Sequence, residues 1–165
     1  MDDVDFSALY TQHSRDVYRF ALYLCGDASL AQDLTAETFA RAWIGRERIR
    51  VGTVKAYLLM IARNLYRDVR RRPVNIALAA DFEAADPAAS PETSAHARGE
   101  LQRVLSALRQ LPDTDREVLL MASVEGLSHH DIAVALGLSA DAVKVRVHRA
   151  RVRLNAVLDG GGPSS

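Results

Sequence analysis

Residues 127–154 read LSHHDIAVALGLSADAVKVRVHRARVRL, placing three histidines and a run of basic residues in one short span. A metal site fails here on spacing. His129 and His130 are neighbours, about 100° apart on a helix, whereas helical zinc sites place histidines at i and i+4, and His148 belongs to a different helix. A pair of helices crossing at a tight turn fits the residues better. Ser128 and Asp131 have capping-box spacing, Ala133 is small where the helices touch, Gly137 suits the left-handed turn between them, and Ser139 caps the second helix. With Val143 taken as the buried line, Val147, Ala150 and Leu154 fall within roughly 40° of it, while Lys144, Val145, His148 and Arg149 fall about 100° or more away. Arg146, Arg151 and Arg153 flank the strip. An outward valine among cations suits a recognition helix, where an apolar group meets a thymine methyl and the cations meet guanine edges or phosphates.

The same module extends back to about Arg98. Leu101, Val104, Leu105, Leu108 and Leu111 form one apolar stripe ending at Pro112, and Asp113 is placed to cap a helix carrying Val118, Met121, Ala122 and Val124 as far as Gly126. Upstream, the chain reads as a separate helical unit. Phe6, Leu9, Tyr10, Val17, Phe20, Ala21 and Leu24 share a helical face, Gly26 stops that helix, and Asp27 caps the next one. The second helix carries Leu30, Ala31, Leu34, Phe39, Ala42 and Trp43 up to Gly45. After the basic loop GRERIRVG, Thr53 is placed to cap a third helix with Val54, Tyr57, Leu58, Ile61, Leu65 and Val69 inward. No segment alternates with the period of a strand.

The chain has 165 residues and equal numbers of acidic and basic side chains, 21 of each, but they are segregated. Positions 41–72 hold ten bases against two acids, positions 81–97 hold four acids and no Lys or Arg, and positions 142–154 hold five bases and no acid. Two basic patches about an acidic stretch fit a polyanion touched at two places, or two solvated helix faces. On the third helix, Arg67, Arg70 and Arg71 lie within about 80° of Arg63, and Leu58, Ile61 and Leu65 lie about 140° or more away. Tyr57, Asn64 and Tyr66 stand between, as groups suited to stacking on bases or hydrogen-bonding to them. The stretch 73–97 is rich in Ala, Pro, Ser and acids and reads as a mobile linker, with room for a short helix near Ile76–Phe82. Nothing resembles a secretory signal or a membrane span. A single cysteine, Cys25, leaves no intramolecular disulfide and fits a reducing, cytoplasmic setting. No enzymatic constellation, cofactor signature or metal site stands out.

Three motifs, in this order and at this spacing, resemble the extracytoplasmic-function (ECF) sigma factors, small sigma subunits of bacterial RNA polymerase. DLTAETFARAW (33–43) is similar to the helix by which that family docks on the β′ clamp helices. VKAYLLMIARNLYRDVRRR (54–72) is similar to its helix that melts and reads the −10 promoter element. Residues 108–154 resemble its domain that reads the −35 element and meets the β flap. The resemblance implies an all-α fold of two small domains: a region 2 domain of three to four helices at 1–72 and a four-helix region 4 helix-turn-helix domain at 98–158. A flexible acidic linker at 73–97 would join them, with a disordered tail at 159–165. It implies polymerase contacts from Asp33, Leu34, Glu37, Phe39 and Trp43. It implies −10 contacts from Arg46, Arg48, Arg50, Tyr57, Arg63, Asn64, Arg67, Arg70 and Arg71, with loop 45–52 capturing a flipped base. It implies −35 contacts from Lys144, Val145, Arg146, His148, Arg149 and Arg151. Core RNA polymerase, promoter DNA and an anti-sigma factor are the partners it implies, for a chain that is monomeric when free, without membrane contact, its two modules loosely tethered. Tyr57, Ala36, Ala142 and Val145 depart from the family's usual residues, which leaves the promoter sequence open. The stretch 116–145 also resembles the DNA-binding end of LuxR-type regulators. That reading calls for an upstream domain of alternating strands and helices, where this chain is helical and basic.

Overall fold

A computed structural model describes residues 3–49, 54–72 and 91–160. In chain order the helices are α1 (Asp3–Cys25), α2 (Ala28–Ile44), a short 3-10 turn (Arg46–Arg48), α3 (Val54–Arg71), α4 (Pro91–Arg109), α5 (Asp113–Leu119), a π turn (Leu120–Val124), α6 (His129–Leu136) and α7 (Ala140–Gly160). The described residues include no strand. No helix among them is long and apolar enough to cross a membrane.

The first three helices bury most of the expected stripes: Leu9, Val17, Phe20, Ala21 and Leu24 of α1, Ala31, Leu34, Phe39 and Ala42 of α2, and Leu58, Ile61 and Leu65 of α3; Tyr10, counted in the α1 stripe, is exposed. Gly26 takes φ +74°, a conformation that costs other residues steric strain, and its N–H closes α1 on the Leu22 carbonyl at 2.7 Å. Asp27 then caps α2, its carboxylate accepting the Leu30 N–H at 3.0 Å. Thr35 and Thr38 are buried because each hydroxyl donates back to a carbonyl one turn earlier, of Ala31 and Leu34. The expected cap Thr53 and the short helix near Ile76–Phe82 lie outside the described residues.

In the second half the tight turn forms as expected. Ser128 Oγ accepts the Asp131 N–H at 3.0 Å, Gly137 takes φ +69°, and Ser139 Oγ accepts the Ala142 N–H at 3.0 Å. Val143, Val147 and Ala150 are buried, Leu154 is half-buried, and Lys144, Val145, His148 and Arg149 face outward. A Cβ on Gly137 would meet no atom within 4 Å, so only backbone strain opposes a side chain there. Gly137→Ala is therefore expected to cost about 1 kcal/mol, lowering the melting temperature by about 3 °C in a thermal melt.

Several expectations need correction. Helix α4 begins at Pro91, inside the stretch assigned to the linker, and α7 runs to Gly160, past the assigned start of the tail. Asp113 makes no capping hydrogen bond to its own helix; its carboxylate is taken by Arg70 and Arg116 instead. Val124, counted in the apolar set, is exposed because the π turn carries it out of the buried line. The largest difference concerns the two halves. They are packed against each other rather than loosely tethered: α1 touches α4 and the π turn, α3 touches α6, and one hydrophobic cluster runs through both. The sequence places apolar residues on helix faces but does not say which helices meet, so this packing was not legible in it.

Candidate nucleic-acid and polymerase interfaces

Helix α2 divides its DLTAETFARAW residues by face. Leu34 and Phe39 are buried, with the Phe39 ring edge-on to Tyr10 at 4.8 Å. Trp43 is half-buried, edge-on to Phe6 at 5.1 Å. Asp33 and Glu37 are exposed, Glu37 in an i,i+4 ion pair with Arg41 at 3.2 Å. Leu34 and Phe39 thus support the face that Asp33 and Glu37 present. Beside that face α1 and α2 frame an open groove of about 550 Å³, lined by Tyr10, Ser14, Arg15, Tyr18, Gln32 and Ala36 among others.

The loop after α2 is ordered at its start by Arg46. Its guanidinium stacks 3.8 Å over the Trp43 ring and donates to the Trp43 carbonyl at 2.8 Å. Gly45 packs close to Tyr57, since a Cβ there would stand 2.9 Å from the Tyr57 hydroxyl and push that side chain aside. Arg48 is exposed, and Arg50 lies outside the described residues.

The basic face of α3 forms as the helical arithmetic predicts, but Arg63 and Arg67 are half-buried against the second half, while Arg70 and Arg71 are exposed. Arg63 Nε donates to Glu117 at 3.1 Å. Arg67 grips the same carboxylate with two bonds, Nε at 2.7 Å and Nη2 at 2.8 Å, and reaches Thr114 Oγ1 at 3.2 Å. Arg70 pairs with Asp113 and lies 5.6 Å from the Tyr66 ring centroid. Asn64 is exposed and accepts from Arg63, while Arg71 pairs within its own helix with Asp68. Tyr57 and Tyr66 are half-buried, and burial raises the Tyr66 phenol above its ordinary range. Burial alone would raise the Asp113 carboxyl, but the hydrogen bond and charge of Arg70, with Arg116 and Arg67 nearby, outweigh it and hold that group below its ordinary value. A depressed carboxyl stabilises the fold above its unfolded pKa and loses that contribution only as pH falls through the lower folded value. Near neutral pH the Asp113–Arg70 pair therefore stays charged.

On α7, Lys144, Val145 and His148 are exposed, and none makes an ion pair or hydrogen bond with the described residues. The arginines are tethered. Arg149 holds buried Asp115 through Nε at 3.0 Å and Nη2 at 2.8 Å, Arg146 approaches the same carboxylate at 3.6 Å, and Arg151 donates to Ser123 at 2.8 Å. Asp115 thus aligns two guanidinium groups beside the open Lys144–His148 strip.

A second crossing between the halves was not anticipated. Glu125, at the end of the π turn, accepts from Arg19 Nε at 2.9 Å and Nη2 at 2.8 Å, and Lys55 Nζ lies at 3.3 Å. Lys55 also donates to the Glu125 carbonyl at 2.7 Å, and Arg109 donates to the Cys25 carbonyl at 2.7 Å. One signal existed for the α5 acids. Positions 113 and 117 share a helical face and 115 lies about 180° from the midpoint of that pair, so one side offers carboxylates to α3 and the other to α7. Nothing comparable pointed to Glu125.

The fold and these surfaces define a two-module helical protein, one module ending in a helix-turn-helix and the other carrying a basic helix behind an ordered loop. Comparison with known proteins sharpens that class. Residues 9–73 match the family model for Sigma-70 region 2, and residues 101–154 match the model for Sigma-70, region 4. The chain is 35% identical over 156 residues to the ECF RNA polymerase sigma factor SigE of Mycolicibacterium smegmatis, covering 91% of this chain and 60% of that protein. It is 36% identical over 141 residues to EcfG of Rhodopseudomonas palustris, covering 84% of this chain and 77% of that protein. Among solved structures it is similar to the sigma factor RpoE in complex with the anti-sigma factor NepR from Bartonella quintana, at 27% identity and TM-score 0.74, over 94% of this chain and 97% of that one. It is also similar to CnrH in complex with the cytosolic domain of CnrY, at 29% identity and TM-score 0.75, over 98% of this chain and 92% of that one. The chain belongs to the ECF family of RNA polymerase sigma factors.

Proposed function

We propose that this chain binds core RNA polymerase through the exposed face of α2, reads the −10 element with α3 and the loop before it, and reads the −35 element with α7. The observation that carries the reading is the pairing, in one chain, of two built arginine faces. Arg63, Arg67 and Arg70 line α3, and Arg146 and Arg149 flank an open strip of Lys144, Val145 and His148. Guanidinium forks that now grip carboxylates have the geometry to grip phosphates. Valine and lysine on an exposed recognition helix meet base edges. Tyr57, Asn64, Arg71 and the loop residues Arg46, Arg48 and Arg50 complete the −10 surface, with Arg151 on the −35 side and Asp33, Leu34, Glu37, Phe39 and Trp43 on the polymerase side.

The protein does no chemistry of its own; the polymerase makes the phosphodiester bonds, in the cytoplasm. This chain supplies contacts at two promoter elements and holds unstacked bases in the opened strand. Docking both modules on one polymerase makes the second promoter contact effectively intramolecular. Control by an anti-sigma factor is supported by the two solved relatives, each bound to its partner, and by alignments that take in both halves of this chain.

Lys144→Ala tests the −35 assignment. The loss of one exposed cation from a base or phosphate contact is expected to weaken protection of the upstream element by about tenfold, equivalent to roughly 1.4 kcal/mol. Footprinting with reconstituted holoenzyme measures it, and an unchanged upstream footprint would place the reading surface on another face of α7.

A further inference from the structure

The acids of the second half occupy the cations that the first half would offer to DNA. Both Glu117 oxygens are used, by Arg63 and by the two-pronged grip of Arg67, and one turn earlier Asp113 takes Arg70. The Glu117 side chain is 1% exposed and that of Glu125 is 0% exposed. Glu117 finds its cationic partners on α3, and Glu125 finds its own on α1 and α3, in each case across the junction between the halves. Two buried carboxylates neutralised only across a junction make that junction specific, because separating the halves strands each charge unless water or another cation replaces its partner.

We infer that α5 is an internal docking surface for α3: Asp113 and Glu117 stand in for DNA phosphates, and the free chain withholds its −10 surface in a closed form. The inference rests on the proposal that α3 reads the −10 element. A guanidinium fork donates to a carboxylate or a phosphate with the same geometry but not to both at once, so α3 cannot hold Glu117 and a DNA backbone together. Apparent DNA affinity is therefore reduced by the fraction of chain that is open. Glu125 with Arg19 and Lys55 is the second clasp, and it is built from residues outside the proposed DNA surface. The clasps are ion pairs, so ionic strength is the lever that loosens them.

The test uses the full chain with Glu117→Gln and Glu125→Gln together, which remove the charges and keep the shapes. A control chain, Glu100→Gln with Asp159→Asn, changes net charge equally at two exposed sites. Small-angle scattering reports the radius of gyration. Fluorescence anisotropy with a short single-stranded DNA of mixed sequence reports affinity at fixed salt. The latch variant is expected to expand and to bind the DNA about tenfold tighter than the control does. An unchanged radius of gyration overturns the latch. Expansion without a gain in affinity overturns α3 as the DNA surface and leaves the clasp as a structural joint. Equal gains in variant and control overturn masking. Should the variant not fold, the unaltered chain is read over a salt titration: expansion with rising salt supports the charge latch, and a constant radius overturns it.

Discussion

In holoenzyme, Arg67→Ala is expected to slow promoter opening by about tenfold or more while leaving affinity for core polymerase unchanged. Arg67 presents Nε and Nη2 as a fork, shown by its two bonds to Glu117. Hydrogen bonds to a charged group are worth about 1.5–3 kcal/mol, and 1.4 kcal/mol is tenfold. Arg67→Lys keeps the charge but loses the fork, so it is expected to fall between alanine and the parent. The polymerase-facing residues lie on α2, and Arg67 touches none of them among the described contacts. Opening is followed by permanganate reactivity of the unpaired thymines, and polymerase binding by co-elution. Equal loss in both would count against α3 as the melting surface. In the free chain the same substitution also loosens the hold on Glu117, so the loss of DNA affinity there is expected to be smaller than in holoenzyme.

The largest stability effect is expected at Phe20. Its side chain is fully buried and belongs to the cluster that runs through both halves. Phe20→Ala removes that volume and leaves a cavity, at a cost of about 3–5 kcal/mol. For a chain of this length the melting temperature is expected to fall by about 10 °C. Phe20→Leu, which retains most of the volume, is expected to recover more than half of that loss. A fall of only a degree or two for the alanine variant would mean that the first half is not organised around α1.

How much of this was legible depended on how local each feature is. The helix-turn-helix was readable residue by residue, because Ser128, Gly137 and Ser139 act on their own backbone within a few positions. So was the division of α7 into Val143, Val147 and Ala150 inside and Lys144, Val145 and His148 outside, which follows from helix period alone. The division of α3 was equally readable, yet its environment was not: helical spacing says that Arg63, Arg67 and Arg70 share a face, not that Glu117 covers it. Asp113 shows the same limit. At the first position of a helix an acid is expected to serve its own backbone, but here two arginines outbid the amide groups for it. The clasp between Glu125 and Arg19 joins residues 106 positions apart, and no local rule predicts such a pair.

The proposed direction of RNA polymerase to promoters by this chain is tested by run-off transcription from fragmented genomic DNA by core polymerase, with and without the protein, mapping the new 5′ ends. Discrete new starts are expected, each preceded by the same two motifs at a fixed spacing, lost with Arg67→Ala and weakened with Lys144→Ala. No new starts, from a protein that fails to co-elute with core polymerase, would contradict it and leave a free-standing helix-turn-helix regulator in its place.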